Sequence, residues 1–183
     1  MSDVGLHRLN RMPLPEALKA LGACCGSSSW CLKMAAGRPY PSRSELLRFA
    51  ELKFRALTKD EWREAFAHHP PIGEKFAKDT SFSDEQRRIL EESCSQYQRR
   101  FGHVFIIRSK DMRPIEILSQ LSRRLRYDPY DELYVAGQHQ RMITKDNLLL
   151  LLDELARGAE DATLLPGETV PMAESQDSAY LKA

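Results

Sequence analysis

A histidine followed by two prolines, His69-Pro70-Pro71, is the first place in the sequence whose residue types suit proton transfer. Prolines donate no backbone hydrogen bond and push the preceding residue out of the helical region, so they end a helix and stiffen the chain. A histidine side chain titrates near neutral pH, and a fixed direction suits general acid/base catalysis. The pattern equally describes a histidine at the end of a helix that a proline stops, and spacing alone favours that structural interpretation.

Glu85 is the second residue suited to proton transfer, since a carboxylate can hold a histidine in one tautomer or take a proton itself. It lies in the first turn of a predicted helix, where the helix dipole favours a negative charge. This position also describes an ordinary glutamate in a capping turn, and without further information that interpretation is favoured.

The segment Phe101-Gly-His-Val-Phe-Ile-Ile107 contains a short apolar run after Gly102. An unpaired extended segment offers backbone N–H and C=O groups to a ligand, and it suits a ring with amide edges. A buried apolar connector explains the run equally well. The serine-rich stretch 26–29 has the composition of an anion-binding helix start, but a simple helix cap is the commoner outcome.

Helix-start signals surround these residues. Three stretches have the capping-box pattern that opens a helix: Ser42-Arg-Ser-Glu45, Thr58-Lys-Asp-Glu61 and Ser83-Asp-Glu-Gln86. Asp128-Pro129 places a good N-cap before a proline at the first helical position. Thr144 is predicted to cap a last helix that runs through Arg157 and stops at Gly158.

Apolar side chains recur three and four residues apart after these signals, as amphipathic helices require. The run Val104–Ile107 is too isolated to build a sheet. The sequence therefore predicts an all-α fold, a compact single-domain bundle of about seven to eight helices with one short extended segment, over residues 1–158. Residues 159–183, rich in Ala, Glu, Ser and Pro, are predicted to form a disordered C-terminal tail.

Composition excludes several function classes. A net charge of +1 with interleaved acidic and basic residues argues against nucleic acid as a partner. The longest uncharged apolar run, Leu148–Leu152, is far too short to span a bilayer, and the first residues lack the apolar stretch of a signal peptide, so we expect a cytoplasmic protein with no membrane partner. The four cysteines have the spacing of neither a disulfide framework nor a zinc site, so we expect reduced thiols and no metal.

Five short motifs follow one another along the chain: Cys24-Cys-Gly-Ser-Ser-Ser-Trp30, Trp62 with His69-Pro-Pro-Ile-Gly73, Ser83-Asp-Glu-Gln86, Phe101-Gly-His-Val-Phe-Ile-Ile107, and Arg124-Leu125 with Ile143-Thr144. In this order and at this spacing they resemble the 2-oxo-4-hydroxy-4-carboxy-5-ureidoimidazoline (OHCU) decarboxylase family. The resemblance covers roughly Leu14 to Leu155, which is most of the chain.

The resemblance implies a decarboxylase that needs no metal or organic cofactor, commonly a homodimer, which converts OHCU, a small-molecule substrate, to (S)-allantoin in urate catabolism. It assigns the catalytic acid/base role to His69 and places a second catalytic residue at Glu85. The substrate-binding residues that it implies are Pro70, Ser83, Gln86, Phe105, Ile106, Ile107, Arg108 and Ser109.

The chemistry of such a substrate is consistent with a cofactor-free site. Its carboxylate stands on a carbon beside a C=N group, so the electrons released with carbon dioxide flow into the conjugated system, and no external electron sink is needed. The protein must hold the carboxylate out of the ring plane, stabilise the developing charge and deliver a proton to one face. Positioned proton transfer of this kind contributes about 10²–10⁴-fold to a rate.

Asn147 departs from the family pattern, in which the last helix commonly carries an arginine at this place. Asparagine supplies no charged fork for an anionic substrate, and Lys145 and Arg141 are the candidate replacements. Two alternatives therefore stay open beside the decarboxylase. One is a helical relative that binds a purine-derived ring without turning it over, and the other is a plain helical interaction module.

Overall fold

The computed structural model describes residues 3–70, 76 and 80–164. Within these ranges the chain forms eight helices and no strand, which confirms the predicted all-α fold. The helices are α1 (Val4–Arg11), α2 (Leu14–Cys24), α3 (Ser28–Ala36), α4 (Arg43–Arg55), α5 (Lys59–Ala67), α6 (Asp84–Phe101), α7 (Pro114–Arg124) and α8 (Pro129–Leu164).

The predicted helix starts at Ser42, Thr58 and Ser83 are confirmed. Thr58 and Ser83 each form a reciprocal capping box, in which the side chain of the cap and the side chain three residues later satisfy one another's backbone N–H groups. The Ser42 hydroxyl accepts from the backbone N–H of Glu45 at 3.2 Å. These starts depend on neighbouring residues alone, which is why the sequence is enough to locate them.

The prediction of a separate last helix beginning at Thr144 and ending at Gly158 was wrong. The chain is helical without a break from Pro129 to Leu164. Thr144 is 3% exposed and its hydroxyl accepts a hydrogen bond from Gln140 Nε2 at 3.3 Å, so it is an interior residue of the helix. The packing of buried residues spaced four apart, such as Gln140, Thr144 and Leu148, keeps the helix continuous and outweighs the local capping signal at Thr144. Residues 165–183 lie outside the described part of the chain, and the disorder of the tail stays a prediction.

Helix α8 is the central element of the bundle, because it packs against α1, α2, α4, α5 and α6. Its crossing with α1 is very close: a Cβ at Gly5 would stand 1.9 Å from the carbonyl oxygen of Leu152. Only a glycine permits this approach. Leu148 and Leu152, neither of them exposed, belong to a core that they share with residues of α1 to α5.

A second core lies between α6, α7 and the residues that follow α6, and it includes Tyr97, Phe105 and Leu121. Gly102 ends α6 in the left-handed region, at φ 74°, and turns the chain towards residues 103–107. A small cluster that contains Phe66 and Ile106 joins the two cores. The residues just after α5, among them His69, therefore meet the segment after α6 at the boundary between the two cores.

Cys24, Cys25 and Cys31 are buried, Cys94 is half-buried, and all four are free thiols, as expected. Burial raises the pKa of Cys24, Cys31 and Cys94 to about 12, so these thiols stay protonated at neutral pH. None of the described helices combines the length and apolar character that a membrane-spanning segment needs.

Candidate active site

His69 lies just beyond α5, where its backbone N–H donates to the carbonyl oxygen of Phe66 at 3.1 Å. Its ring nitrogen Nε2 is 2.6 Å from Gln140 Oε1 on α8. Because an amide oxygen only accepts, Nε2 carries the hydrogen in this arrangement, and Nδ1 is the nitrogen at which the neutral ring gains a proton. The proline that follows and the bond to Gln140 together fix the direction of the imidazole.

Gln140 is fully buried, and its other amide atom donates to the Thr144 hydroxyl. His69, Gln140 and Thr144 therefore form a hydrogen-bonded chain, called here the His69 chain, that runs from a cavity into the core. Gln140 was not predicted. Its four-residue spacing to Thr144, Leu148 and Leu152 is visible in the sequence, but only the packing shows that this row is buried.

The cavity beside His69 has a volume of about 240 Å³ and brings three parts of the chain together. One is the end of α5, with His69 and Pro70, and another is the continuous segment from Phe105 to Lys110. The third is one face of α8, at positions spaced by three, four and seven residues: Ile143, Asp146, Asn147 and Leu150. Of the predicted site residues, His69, Pro70, Phe105, Ile106, Ile107, Arg108 and Ser109 thus line a single cavity.

Arg108 is a cation of this cavity that an ion pair holds in place. Its Nε donates to Asp146 Oδ2 at 2.5 Å, and the bond raises the pKa of the guanidinium further above neutrality. Its backbone N–H donates to His139 Nδ1 at 3.3 Å. Burial, and then the charge of Arg124, lower the pKa of His139 to about 4, so His139 is a neutral acceptor.

A buried charge cluster supports the segment after α6. Arg124 donates from Nη1 to the Ile106 carbonyl oxygen at 2.9 Å and from Nε to both carboxylate oxygens of Glu132, at 2.9 and 3.1 Å. Tyr97 donates its hydroxyl hydrogen to Glu132, and the Arg124 guanidinium lies 4.5 Å from the Phe105 ring centroid. Arg124, Glu132 and Tyr97 are all fully buried. The cluster of Tyr97, Arg124 and Glu132, called here the arginine cluster, thus holds Phe105 and Ile106 at the cavity wall.

Glu85, Ser83 and Gln86 are not among the described residues that line the cavity. The Glu85 carboxylate is exposed and ion-paired with Arg88 at 2.7 Å, which lowers its pKa. Ser83 and Gln86 are bonded to one another in the capping box of α6. The structure therefore gives these three residues a helix-start role, and it gives no contact between Glu85 and His69.

Arg141 and Lys145, the candidate replacements for the missing arginine, face away from this cavity. They line a second cavity between α4 and α8. The cations beside His69 are instead Arg108 and Lys110. Asn147 does line the His69 cavity, and its amide donates to the Cys24 carbonyl oxygen at 3.3 Å. Among the residues the structure describes, no group of three or more His, Cys, Asp or Glu side chains is arranged to hold a metal ion.

Comparison with known proteins gives consistent results. The family model described as OHCU decarboxylase matches residues 10–148. The chain is 28% identical over 167 residues to the uric acid degradation bifunctional protein TTL of Arabidopsis thaliana, covering 81% of this chain and 52% of that protein. It is 24% identical over 149 residues to a 2-oxo-4-hydroxy-4-carboxy-5-ureidoimidazoline decarboxylase of Haloferax volcanii, covering 74% of this chain and 89% of that protein.

Two solved structures share the fold. A crystal structure of an OHCU decarboxylase in the presence of (S)-allantoin superposes with a TM-score of 0.65 at 27% identity, over 74% of this chain and 96% of that one. A crystal structure of an (S)-allantoin synthase has a TM-score of 0.62 at 19% identity, over 81% of this chain and 53% of that one, and this likeness concerns the fold alone. The chain therefore spans about half the length of the bifunctional relative and nearly all of the OHCU decarboxylase chain in the crystal structure.

Proposed function

The chain belongs to the OHCU decarboxylase family, and from that premise we propose that it decarboxylates OHCU to (S)-allantoin in urate breakdown, using no cofactor. One observation carries the proposal: the cavity joins His69, fixed by Gln140, to the backbone of residues 105–109 and to the Arg108 guanidinium. An amide-rich ring that carries a carboxylate needs these three kinds of group.

The proton steps fall to His69. When the carbon–carbon bond to the carboxylate breaks, carbon dioxide leaves and the electron pair passes into the conjugated C=N system of the ring. The nitrogen of that group takes up a proton, and the hydroxyl on the carbon that lost carbon dioxide gives up its proton to become the ring carbonyl. The neighbouring carbon, which carries the ureido group, takes a proton that His69 delivers from Nδ1, since Nε2 is held by Gln140. Delivery from one fixed imidazole reaches one face of the ring, and that is what a single enantiomer of the product requires.

Arg108 and the segment 105–109 bind and orient the substrate. The guanidinium offers charge-assisted hydrogen bonds to an anionic group, and Asp146 holds it at the wall of the cavity. Backbone N–H and C=O groups of the segment pair with the amide edges of the ring. Pro70 limits the space beside the imidazole.

Glu85 is proposed as the second catalytic residue, and Ser83 and Gln86 as further substrate contacts, on the family resemblance alone. The surface ion pair of Glu85 with Arg88 is a weak restraint, because water screens exposed charges and the pair must hold two long side chains in one geometry. The proposal also includes a homodimer as the working assembly and a cytoplasmic location, which rest on the same resemblance and on the sequence composition.

The experiment is a circular dichroism assay with freshly generated OHCU. We expect the (S)-allantoin band to appear much faster with the protein than by spontaneous decay, and with the sign of one enantiomer. Asn147 in the cavity favours one alternative, a relative that binds the ring without turnover. Saturable binding of (S)-allantoin with no acceleration of its formation would replace the proposal by that alternative.

A further inference from the structure

A second cavity, of about 230 Å³, lies between α4 and α8 and takes no part in the proposed reaction. Three cationic side chains line it, Arg48 from α4 and Arg141 and Lys145 from α8, against one carboxylate, Glu51. Its inner wall is apolar and includes Ala50 and Phe54, which are almost fully buried. The cavity thus combines an excess of positive charge with a hydrophobic floor.

The two cavities use different faces of α8. Arg141, Thr144 and Lys145 are spaced by three and four residues and face the second cavity, whereas Asp146 and Asn147 face His69. A ligand in the second cavity therefore cannot be touching the imidazole, and the two cavities can be tested separately.

Arg141 carries a positive charge that its one carboxylate partner neutralises only in part. Its Nη1 donates to Glu51 at 2.5 Å, and Glu51 also accepts from Arg55 at 2.6 Å. The Arg141 Nε–H is buried and has no acceptor among the described residues, and it is the one buried side-chain polar atom of which this is true there. Because this nitrogen has almost no surface accessible to water, a ligand in the cavity meets the charge of Arg141 and not its Nε–H. Glu51 is shared by two guanidinium groups, so it neutralises only one of their two charges.

Lys145 gives the cavity a charge that the protein does not neutralise. It is exposed, and no carboxylate of the described residues lies within 4.0 Å of its ammonium group. Arg48, by contrast, pairs with Glu45 at 2.6 Å on the surface. The cavity is therefore lined by an unneutralised ammonium group and by a guanidinium that shares its carboxylate partner with Arg55.

We propose that this second cavity is a binding site for a small organic dianion with an apolar body, a dicarboxylate on a ring or short chain. Two carboxylates match the positive charges of Lys145 and Arg141, and the apolar body covers Ala50 and Phe54. The volume is below the range of about 300–1,000 Å³ that drug-sized ligands occupy, so a metabolite of a few carbons or one ring is the size that fits. The proposal does not depend on the decarboxylation of OHCU.

The test is calorimetric titration of the full chain with phthalate, a benzene dicarboxylate, at low ionic strength, where exposed charges are least screened. We expect saturable 1:1 binding, and at least tenfold weaker binding of phthalamide, in which both carboxylates are replaced by neutral amides. Lys145→Gln and Arg141→Gln should each weaken phthalate binding at least tenfold. Lys145 is exposed, so its variants fold whether or not Arg141→Gln does, and Lys145→Glu should weaken binding further.

Arg108→Gln is the matched control, because it removes a cation from the His69 cavity and should change the phthalate Kd less than twofold. No detectable phthalate binding, or equal binding of phthalamide, would overturn the proposal. So would a Kd that is unchanged in the Lys145 variants but weakened in Arg108→Gln, since that result assigns the dianion to the His69 cavity.

Discussion

The arginine cluster and the His69 chain are both buried polar networks, but the protein satisfies them to different extents. Arg124, Glu132 and Tyr97 are fully buried and bond to one another and to the Ile106 carbonyl oxygen. The His69 chain is equally buried at Gln140 and Thr144, yet it ends at a half-exposed imidazole in a cavity. A network closed on itself fixes shape, whereas one that ends at a cavity can exchange protons with a ligand.

His69→Asn removes the imidazole at which the His69 chain meets the cavity, and we expect it to have the largest effect on turnover. Removing the proton carrier should lower kcat by about 10²–10⁴-fold. The free energy of unfolding should change by less than about 1 kcal/mol, because the side chain is only partly buried. The measurements are steady-state turnover by circular dichroism and urea denaturation.

His68→Asn is the matched control for that variant. His68 is the C-cap of α5, and its exposed side chain bonds through Nδ1 to the Glu64 carbonyl oxygen of its own helix. We expect turnover close to that of the unmodified protein. Equal turnover of His69→Asn and the unmodified protein would remove His69 from the mechanism, and a His69→Asn protein that fails to fold would assign it a structural role.

Arg124→Met tests the closed network. Removing one partner of a buried ion pair leaves the other charge uncompensated, which costs about 3–5 kcal/mol of unfolding free energy. The double variant Arg124→Met/Glu132→Leu should be less destabilised than the single one, because it leaves no buried unpaired carboxylate. Urea denaturation measures both. A loss below about 1 kcal/mol for Arg124→Met would show that the cluster is not what holds this region together.

Glu85→Gln tests the carboxylate that the structure leaves outside the cavity. If Glu85 is the second catalytic residue, kcat should fall by about tenfold, since one of two proton-handling groups is lost. The unfolding free energy should stay almost unchanged, because exposed ion pairs contribute little to stability. Arg88→Gln removes the same ion pair and should leave turnover unchanged. Unchanged turnover of Glu85→Gln would limit this residue to the capping turn of α6.

His139 gives the smallest predicted effect, through the pH dependence of stability. Its folded pKa of about 4 lies below the unfolded value near 6.5, so between these pH values the unfolded chain binds a proton that the folded chain does not. The unfolding free energy should therefore fall as the pH drops from 6.5 to 4, and His139 should add nothing above 6.5. Because the imidazole is partly exposed, we expect about 1 kcal/mol.

The check on His139 is to compare the unfolding free energy at pH 7 and pH 4.5 in the unmodified protein and in His139→Gln. Glutamine keeps an acceptor for the Arg108 N–H but does not titrate. The variant should lose less stability on acidification, and the same loss in both proteins would contradict the assigned pKa.

The helix starts could be predicted from the sequence because a cap depends on residues three positions apart, as at Thr58 and Ser83. The continuity of α8 could not, since the row Gln140, Thr144, Leu148 is buried by distant helices that a local pattern does not contain. The burial of Arg124 could not be predicted either, because arginine is usually exposed. Only the packing shows that Arg124, three residues after the buried Leu121, lies on the buried face of α7.

The site was partly predictable. The resemblance placed His69, Pro70 and residues 105–109 together, and the structure groups them in one cavity. It did not identify Gln140 or Asp146, because their contribution depends on which face of α8 meets His69. Spacing along a helix gives the faces, but only packing decides where each face points. Arg141 and Lys145 were assigned to the wrong cavity for this reason.

The central helix α8 has a consequence for synthesis on the ribosome, because it follows in the chain every helix that it packs against. Arg8 on α1, for example, bonds to the carbonyl oxygen of Leu155, which is 147 residues further along. At translation rates of about 5–20 residues per second, α1 waits roughly 7–30 s for this partner. Leu6 and Leu9, which α8 and its neighbours bury, remain open to water for that time. The nascent chain can therefore complete its N-terminal core only after nearly all of α8 has emerged.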